Sequence, residues 1–215
     1  MKIEVKNINK NFKKNIILKN INMEFESGNI YGLNGRNGAG KSVFLKILCG
    51  LYKATSGEIL YNGKIYNSDN LYQLNMRALI EKPNFFPELT GYENLVLLAK
   101  IQGKIGKKEI EESLKKVNLF EEKDKKYSEY SLGMKQKLGI AQVLMENPDI
   151  IILDEPFNGI ETSSVKKISE LLKVEKKKGK LIIISTHIKE DLKNLSDKIY
   201  FFDNGTITNN IKVNK

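Results

Sequence analysis

The chain has 215 residues, 40% of them hydrophobic and 29% charged, the balance of one globular domain with a sizeable core. No apolar run approaches the about 18 residues that a membrane-spanning helix needs, and MKIEVKNINK lacks the apolar stretch of a secretory leader, so the expected setting is the cytosol. The net charge of +10 raises the question of nucleic acid, but Arg36 and Arg77 are the only arginines, and KKEIEESLKK and KVEKKKGK mix both signs at helical spacing, as a solvated lysine surface does.

Residues 1–30 alternate: KIEVKNI and ILKNINMEFE place apolar residues at every second position, and Ser27-Gly28 closes the second run. That pattern predicts an antiparallel strand pair. Phe12 falls between the two runs, in KNFKKN, either as an exposed aromatic able to stack on a base or as a minor core residue. NIYGL then reads as a short buried strand running into GRNGAGKS, residues 35–42. This stretch fits G-x-x-x-x-G-K-[ST], with Gly35, Gly40, Lys41 and Ser42 in the fixed places. Gly35, Gly38 and Gly40 let the backbone turn its N–H groups inward with no Cβ in the way of a phosphate. Lys41 brings a compact positive charge to the β- and γ-phosphates, and the Ser42 hydroxyl can ligate Mg²⁺. KSVFLKILCG follows as a helix with Val43, Phe44, Ile47 and Leu48 apolar and Gly50 as its stop. Strand, glycine loop and helix N-terminus make an anion site, whose candidate residues are Asn34, Gly35, Arg36, Asn37, Gly38, Ala39, Gly40, Lys41, Ser42 and Val43. The single cysteine, Cys49, reads as a small buried residue of that helix, with neither a disulfide nor a metal cluster open to it.

ATSGEILYNGKIY, Ala54 to Tyr66, carries the turn signals Ser56-Gly57 and Asn62-Gly63 around a short strand pair. RALIE is strand-like and ends before Pro83. FFPELTGYENLVLLAKIQGK turns helical, with Thr90 and Glu93 as N-cap and N3 partner and Leu95, Val96, Leu98 and Ala99 as an apolar face. KKEIEESLKKVNLF keeps the helical period, so residues 84–143 read as a helical insert between strands. From Asp149 onward the order is strand, helix, strand. DIIILDEP ends in Asp154 and Glu155, VKKISELLKVEKKKGK is amphipathic and stops near Gly179, and LIIISTH ends in His187, the only histidine. Unbroken Ile/Leu runs mark parallel strands covered on both faces. IYFFDNGTI closes the pattern as a hairpin turning at Asn204-Gly205. No internal repeat or low-complexity linker interrupts the chain.

Adjacent acids at the C-terminal edge of a parallel sheet lie where α/β proteins bind ligands. One carboxylate can hold Mg²⁺ and the next can orient and deprotonate an attacking water. His187 ends a strand of the same sheet, a position suited to a γ-phosphate. Together with YSLGMKQK, these features make the chain resemble an ABC-type ATPase, the nucleotide-binding subunit of an ABC transporter, over essentially its whole length. Five motifs stand in the family's order: Walker A at residues 35–42, a signature similar to LSGGQ with Ser131 and Gly133 in its key places, Walker B in IIILDE, NGIE at the D-loop, and the switch histidine in STH.

The resemblance implies an α/β fold: a P-loop NTPase core with a mostly parallel sheet, an N-terminal antiparallel β subdomain and an α-helical subdomain insert, all in one domain over residues 1–215. It implies ATP and Mg²⁺ as cofactors, with Ser42, Asp154 and Glu81 on the metal, Glu155 as general base and His187 at the γ-phosphate. Phe12 stands where the family stacks an aromatic on adenine. Two chains, as a homodimer or pseudo-dimer, would enclose ATP head to tail, with Ser131 and Gly133 facing the other chain's nucleotide. Glu81 takes the place of a common Gln and, with PNFFPELTGYENL, resembles the branch serving bacitracin resistance and lantibiotic self-immunity. Leu132 and Met134 in the signature, Lys137 for Arg, Glu161 for the D-loop Asp and Val43 for Thr depart from the usual pattern. The implied function is ATP hydrolysis that energises a separate permease for export of an antimicrobial peptide or antibiotic, from the cytoplasmic face of the membrane and without nucleic acid. The alternatives are a non-transport ATPase coupled to a membrane partner, or a ribosome- or DNA-associated factor, which the single motif set and short insert disfavour.

Overall fold

A computed structural model describes residues 1–65 and 74–213. The alternating N-terminal runs form β1 (Lys2–Phe12) and β2 (Asn15–Glu26), antiparallel, with Ile3 opposite Phe25 and Val5 opposite Met23. Every core side chain of β1 therefore meets one of β2 on the same face, as period-two patterning requires. Phe12 is the last residue of β1 rather than a link between strands. The later pair, β4 (Ser56–Tyr61) and β5 (Lys64–Ile65), is not separate: β4 pairs with β1, Ile3 opposite Tyr61, giving one sheet in the order β2-β1-β4-β5. Alternation predicts strands but not which edges meet, so this union was not legible beforehand. Tyr66, the end of the expected run, lies outside the described residues. Asn62-Gly63 and Asn204-Gly205 turn as expected, with φ of 50° and 75°, then 45° and 74°, the positive pair of a tight hairpin.

A six-stranded sheet carries the rest, in the order β10-β9-β3-β8-β7-β6. Its parallel members are β3 (Ile30–Asn34), β6 (Met76–Leu79), β7 (Ile150–Asp154), β8 (Leu181–Thr186) and β9 (Lys198–Asp203), and β10 (Thr206–Lys212) runs antiparallel at one edge. Successive residues of β7 enter different cores. Ile150 and Ile152 pack with Ile3, Phe25 and Phe44, the last from α1 (Lys41–Leu48). Ile151 and Leu153 pack with Leu95 of α2 (Gly91–Gln102), Leu114 of α3 (Lys107–Lys116), Leu138 of α4 (Leu132–Met145) and Leu172 of α5 (Thr162–Lys177). Burial on both faces explains why IIIL contains no polar residue. Each such side chain stabilises by roughly 1.5–3 kcal/mol, against about 0–1 for an exposed pair such as Lys107–Glu111, so the apolar layers set the sheet's place.

Helices α2, α3 and α4 lie between β6 and β7 in the chain. Thr90 caps α2 fully: its side chain accepts from the Glu93 amide at 3.1 Å, and the Glu93 carboxylate accepts from the Thr90 amide at 2.8 Å. Sheet register then sets the function. Asn34 lies opposite Thr186, and Asp154 opposite Ser185, so β3, β8 and β7 end side by side. Whatever follows each strand is delivered to one edge.

Candidate active site

The loop after β3 is shaped by two left-handed glycines, Gly38 at φ 81° and Gly40 at φ 105°, a region that L side chains avoid. Gly40 also opens α1 with no side-chain cap, leaving first-turn amides for an anion. Gly35 is required for another reason: a Cβ there would stand 2.4 Å from the Phe202 carbonyl oxygen of β9. Gly35→Ala should therefore lower Tm by roughly 5 °C, the size expected for overpacking at a backbone contact; a thermal melt with no shift would contradict the close approach.

Lys41 is buried, 4% exposed, and donates to the Gly35 carbonyl at 2.6 Å and the Arg36 carbonyl at 3.2 Å. Its Nζ also stands 3.6 Å from Glu155 Oε1. The cleft above the loop measures about 410 Å³ and is lined by residues 36–43 with Ile17 and Glu155.

Asp154 and Glu155 occupy different environments although they are neighbours. Asp154 is buried at the end of β7, where its carboxylate accepts from the Ser185 hydroxyl of β8. Glu155 has left the strand, with φ 48°, a conformation that costs a non-glycine residue about 1–3 kcal/mol and persists only where its surroundings enforce it. Its amide donates to the Ser185 carbonyl at 2.9 Å, and its own carbonyl accepts from the buried Gln136 amide of α4 at 3.2 Å. So held, the carboxylate points between two groups, Lys41 on Oε1 and His187 Nδ1 on Oε2 at 3.0 Å. Asn34 completes the edge by donating to the Thr186 carbonyl at 3.1 Å, just before His187.

A second cavity, about 310 Å³, is lined by Ser42, Glu81, Asp154 and Glu155 together with Lys82, Leu132, Gln136 and Asn158. Its potential metal donors are hard oxygens. Among the described residues no three His, Cys, Asp or Glu side chains could by themselves hold a metal. That donor set fits Mg²⁺, which keeps waters and phosphate oxygens around one or two protein ligands. Glu81 sits at the rim, at φ 65°, its side chain 65% exposed and paired with Lys46 of α1.

The site thus gathers Asn34, the loop from Gly35 to Val43, Glu81, Asp154, Glu155 and His187 within one region. It does not gather the others. Ser131 is exposed as the N-cap of α4, its hydroxyl accepting from the Met134 amide at 3.2 Å. Gly133 backs onto the Gly159 carbonyl, which a Cβ would approach to 2.7 Å. Neither is among the described residues lining the two cavities. Phe12 stands apart, 40% exposed, edge-on to Tyr52 at 5.5 Å and with Lys10 Nζ 4.7 Å from its ring centre. Burial pushes the Cys49 thiol up to about 12, which agrees with an unreactive cysteine. Ser185, Gln136 and Lys46 were not foreseen. Ser185 stands in LIIISTH, but only the pairing of β7 with β8 reveals its task.

A glycine loop with a buried lysine, facing two strand-end acids and a histidine, defines a P-loop ATPase site. The sequence profile of the ABC transporter family matches residues 18–158. The bacitracin transport ATP-binding protein BcrA of Enterococcus faecalis is 38% identical over 99% of this chain and 70% of its own length. YybJ of Bacillus subtilis, an uncharacterised ABC transporter ATP-binding protein, is 39% identical over 98% of this chain and 97% of its own. The lantibiotic transport ATP-binding protein SrtF of Streptococcus pyogenes is 36% identical over 95% and 88%. Among solved structures, a dimeric bacterial ABC transporter cassette superposes with a TM-score of 0.90 at 28% identity, covering 99% of both chains. A dimeric cassette bound to ADP and Pi superposes with a TM-score of 0.89 at 26% identity, again over 99% of both. The chain belongs to the ABC transporter family and is an ATPase, an ATP-binding subunit. Its fold is that of the ABC cassettes, and its relatives include the bacitracin and lantibiotic transport branch.

Proposed function

We propose that this ATPase drives a separate membrane permease, working as a pair of chains that enclose two ATP molecules between them. The observation that carries the reading is a site complete on one side only. Lys41, Ser42, Asp154, Glu155 and His187 converge, whereas Ser131 and Gly133 lie outside both cavities, with Ser131 exposed at a helix N-terminus free to meet another chain's phosphate. In this reading the loop from Asn34 to Val43 holds the triphosphate and Phe12 contacts the base. Glu155 takes the proton of the attacking water, and His187 orients that carboxylate through its 3.0 Å contact and approaches the γ-phosphate. Ser42 and Asp154, with Glu81 near them, would hold Mg²⁺, which when bound supplies charge neutralisation at the phosphates. The whole chain acts as one ATPase domain, with residues 84–143 as the part that turns towards the permease.

Among the described residues no helix is long and apolar enough to cross a membrane; in this reading the spanning helices belong to the separate permease. The chain would then sit on the cytoplasmic face, without nucleic acid. The relatives named as bacitracin and lantibiotic transport ATP-binding proteins support a peptide antibiotic as cargo, and the reading takes export as its direction. The test is to purify the chain from detergent-extracted membranes and measure phosphate release with and without bacitracin or a lantibiotic. A multi-span partner should co-purify and the peptide should raise the rate several-fold. A chain that comes alone, with a rate indifferent to both peptides, would overturn the export reading and leave the ATPase assignment standing.

A further inference from the structure

We propose that Lys46 is a positioning residue for Glu81, pinning its carboxylate at the rim of the cavity it shares with Ser42, Asp154 and Glu155 so that its charge is not released towards the phosphates. The inference rests on the reading of that cavity as the nucleotide site. Three observations lead to it. First, Glu81 is held at φ 65°, a backbone state a glutamate adopts under constraint, which aims its side chain. Second, the pair is asymmetric. Lys46 is fixed: its side chain is 17% exposed, its Nζ lies 5.2 Å from the Tyr52 ring centre, and its carbonyl accepts from the Leu51 and Tyr52 amides at 2.8 and 3.1 Å. Glu81, 65% exposed, is the partner free to move. Third, three carboxylates line one small cavity, and α1 supplies a lysine to two of them, Lys41 to Glu155 and Lys46 to Glu81.

An ion pair whose carboxylate is 65% exposed contributes little to folding, so stability does not account for the arrangement. Its effect is on the charge met by an entering polyphosphate. Without Lys46, the Glu81 carboxylate is unpaired beside Asp154 and Glu155, and a triphosphate is repelled. Tyr52, edge-on to Phe12, extends the same contacts towards the proposed base platform.

The test is calorimetric ATP binding to the full chain with magnesium chelated, for wild type, Lys46→Met, Glu81→Gln, the double variant and Lys46→Arg. Lys46→Met should weaken binding about fivefold when Glu81 is present and less than twofold when residue 81 is Gln, which has no charge to release. Lys46→Arg should stay within twofold of wild type. Equal losses in both backgrounds, or no loss in either, would overturn the proposal. Lys41→Met serves as the separate control: if ATP affinity is indifferent to it, the nucleotide-site reading itself fails, and this inference fails with it.

Discussion

Glu155→Gln should lower the turnover rate by roughly 10²–10⁴-fold while ATP still binds. The substitution keeps the shape of the side chain and removes the lone proton acceptor placed between Lys41 and His187. The backbone that aims it does not depend on the charge. Its amide remains on the Ser185 carbonyl and its carbonyl on Gln136. Lys41 also keeps its two loop carbonyls, Gly35 and Arg36, so the phosphate loop stays built. The loss should therefore fall on the chemical step and not on nucleotide affinity. Phosphate release and ATP binding measured side by side separate the two, and a variant that turns over at the wild-type rate would remove Glu155 from the mechanism.

Lys41→Met has the second largest expected effect, now on binding. The ammonium is nearly buried and its neighbours are carbonyl oxygens and one carboxylate, so it adds charge-assisted hydrogen bonds to any phosphate entering the cleft. Losing them costs about 3 kcal/mol, a loss of roughly 100-fold in Kd. The exchange also strips the cation from Glu155 Oε1, a buried oxygen with no hydrogen-bond donor of its own. Lys41→Met should consequently melt below wild type, and pairing it with Glu155→Gln should restore part of that loss without restoring ATP affinity. A single variant that binds ATP within threefold of wild type would contradict the role given to Lys41.

The phosphate loop, the strand-end acids and the histidine were legible in the sequence because each motif is local and each follows an apolar run whose burial fixes its strand. The two-sided cover of β7 and β8 could be read from IIIL and LIII for the same reason. What escaped depends on which strand lies beside which. The Ser185 hydroxyl reaches Asp154 only through the register of β7 and β8. Gly35 leaves no room for a Cβ because β9 brings the Phe202 carbonyl against it, not because its backbone is left-handed. Lys46 of α1 meets Glu81, two residues beyond the end of β6, a tertiary contact with no counterpart in spacing. Phe12 shows the limit from the other direction: its exposure agrees with a base platform, yet it is Ile17 that lines the cleft.

The central claim is that one chain carries half of each working site. The most direct measurement is the mass in solution of Glu155→Gln, with and without ATP, by light scattering after size exclusion. Two chains per particle with ATP, and one without, is the predicted result. A single chain with ATP bound, or a pair equally stable in the absence of nucleotide, would contradict the account.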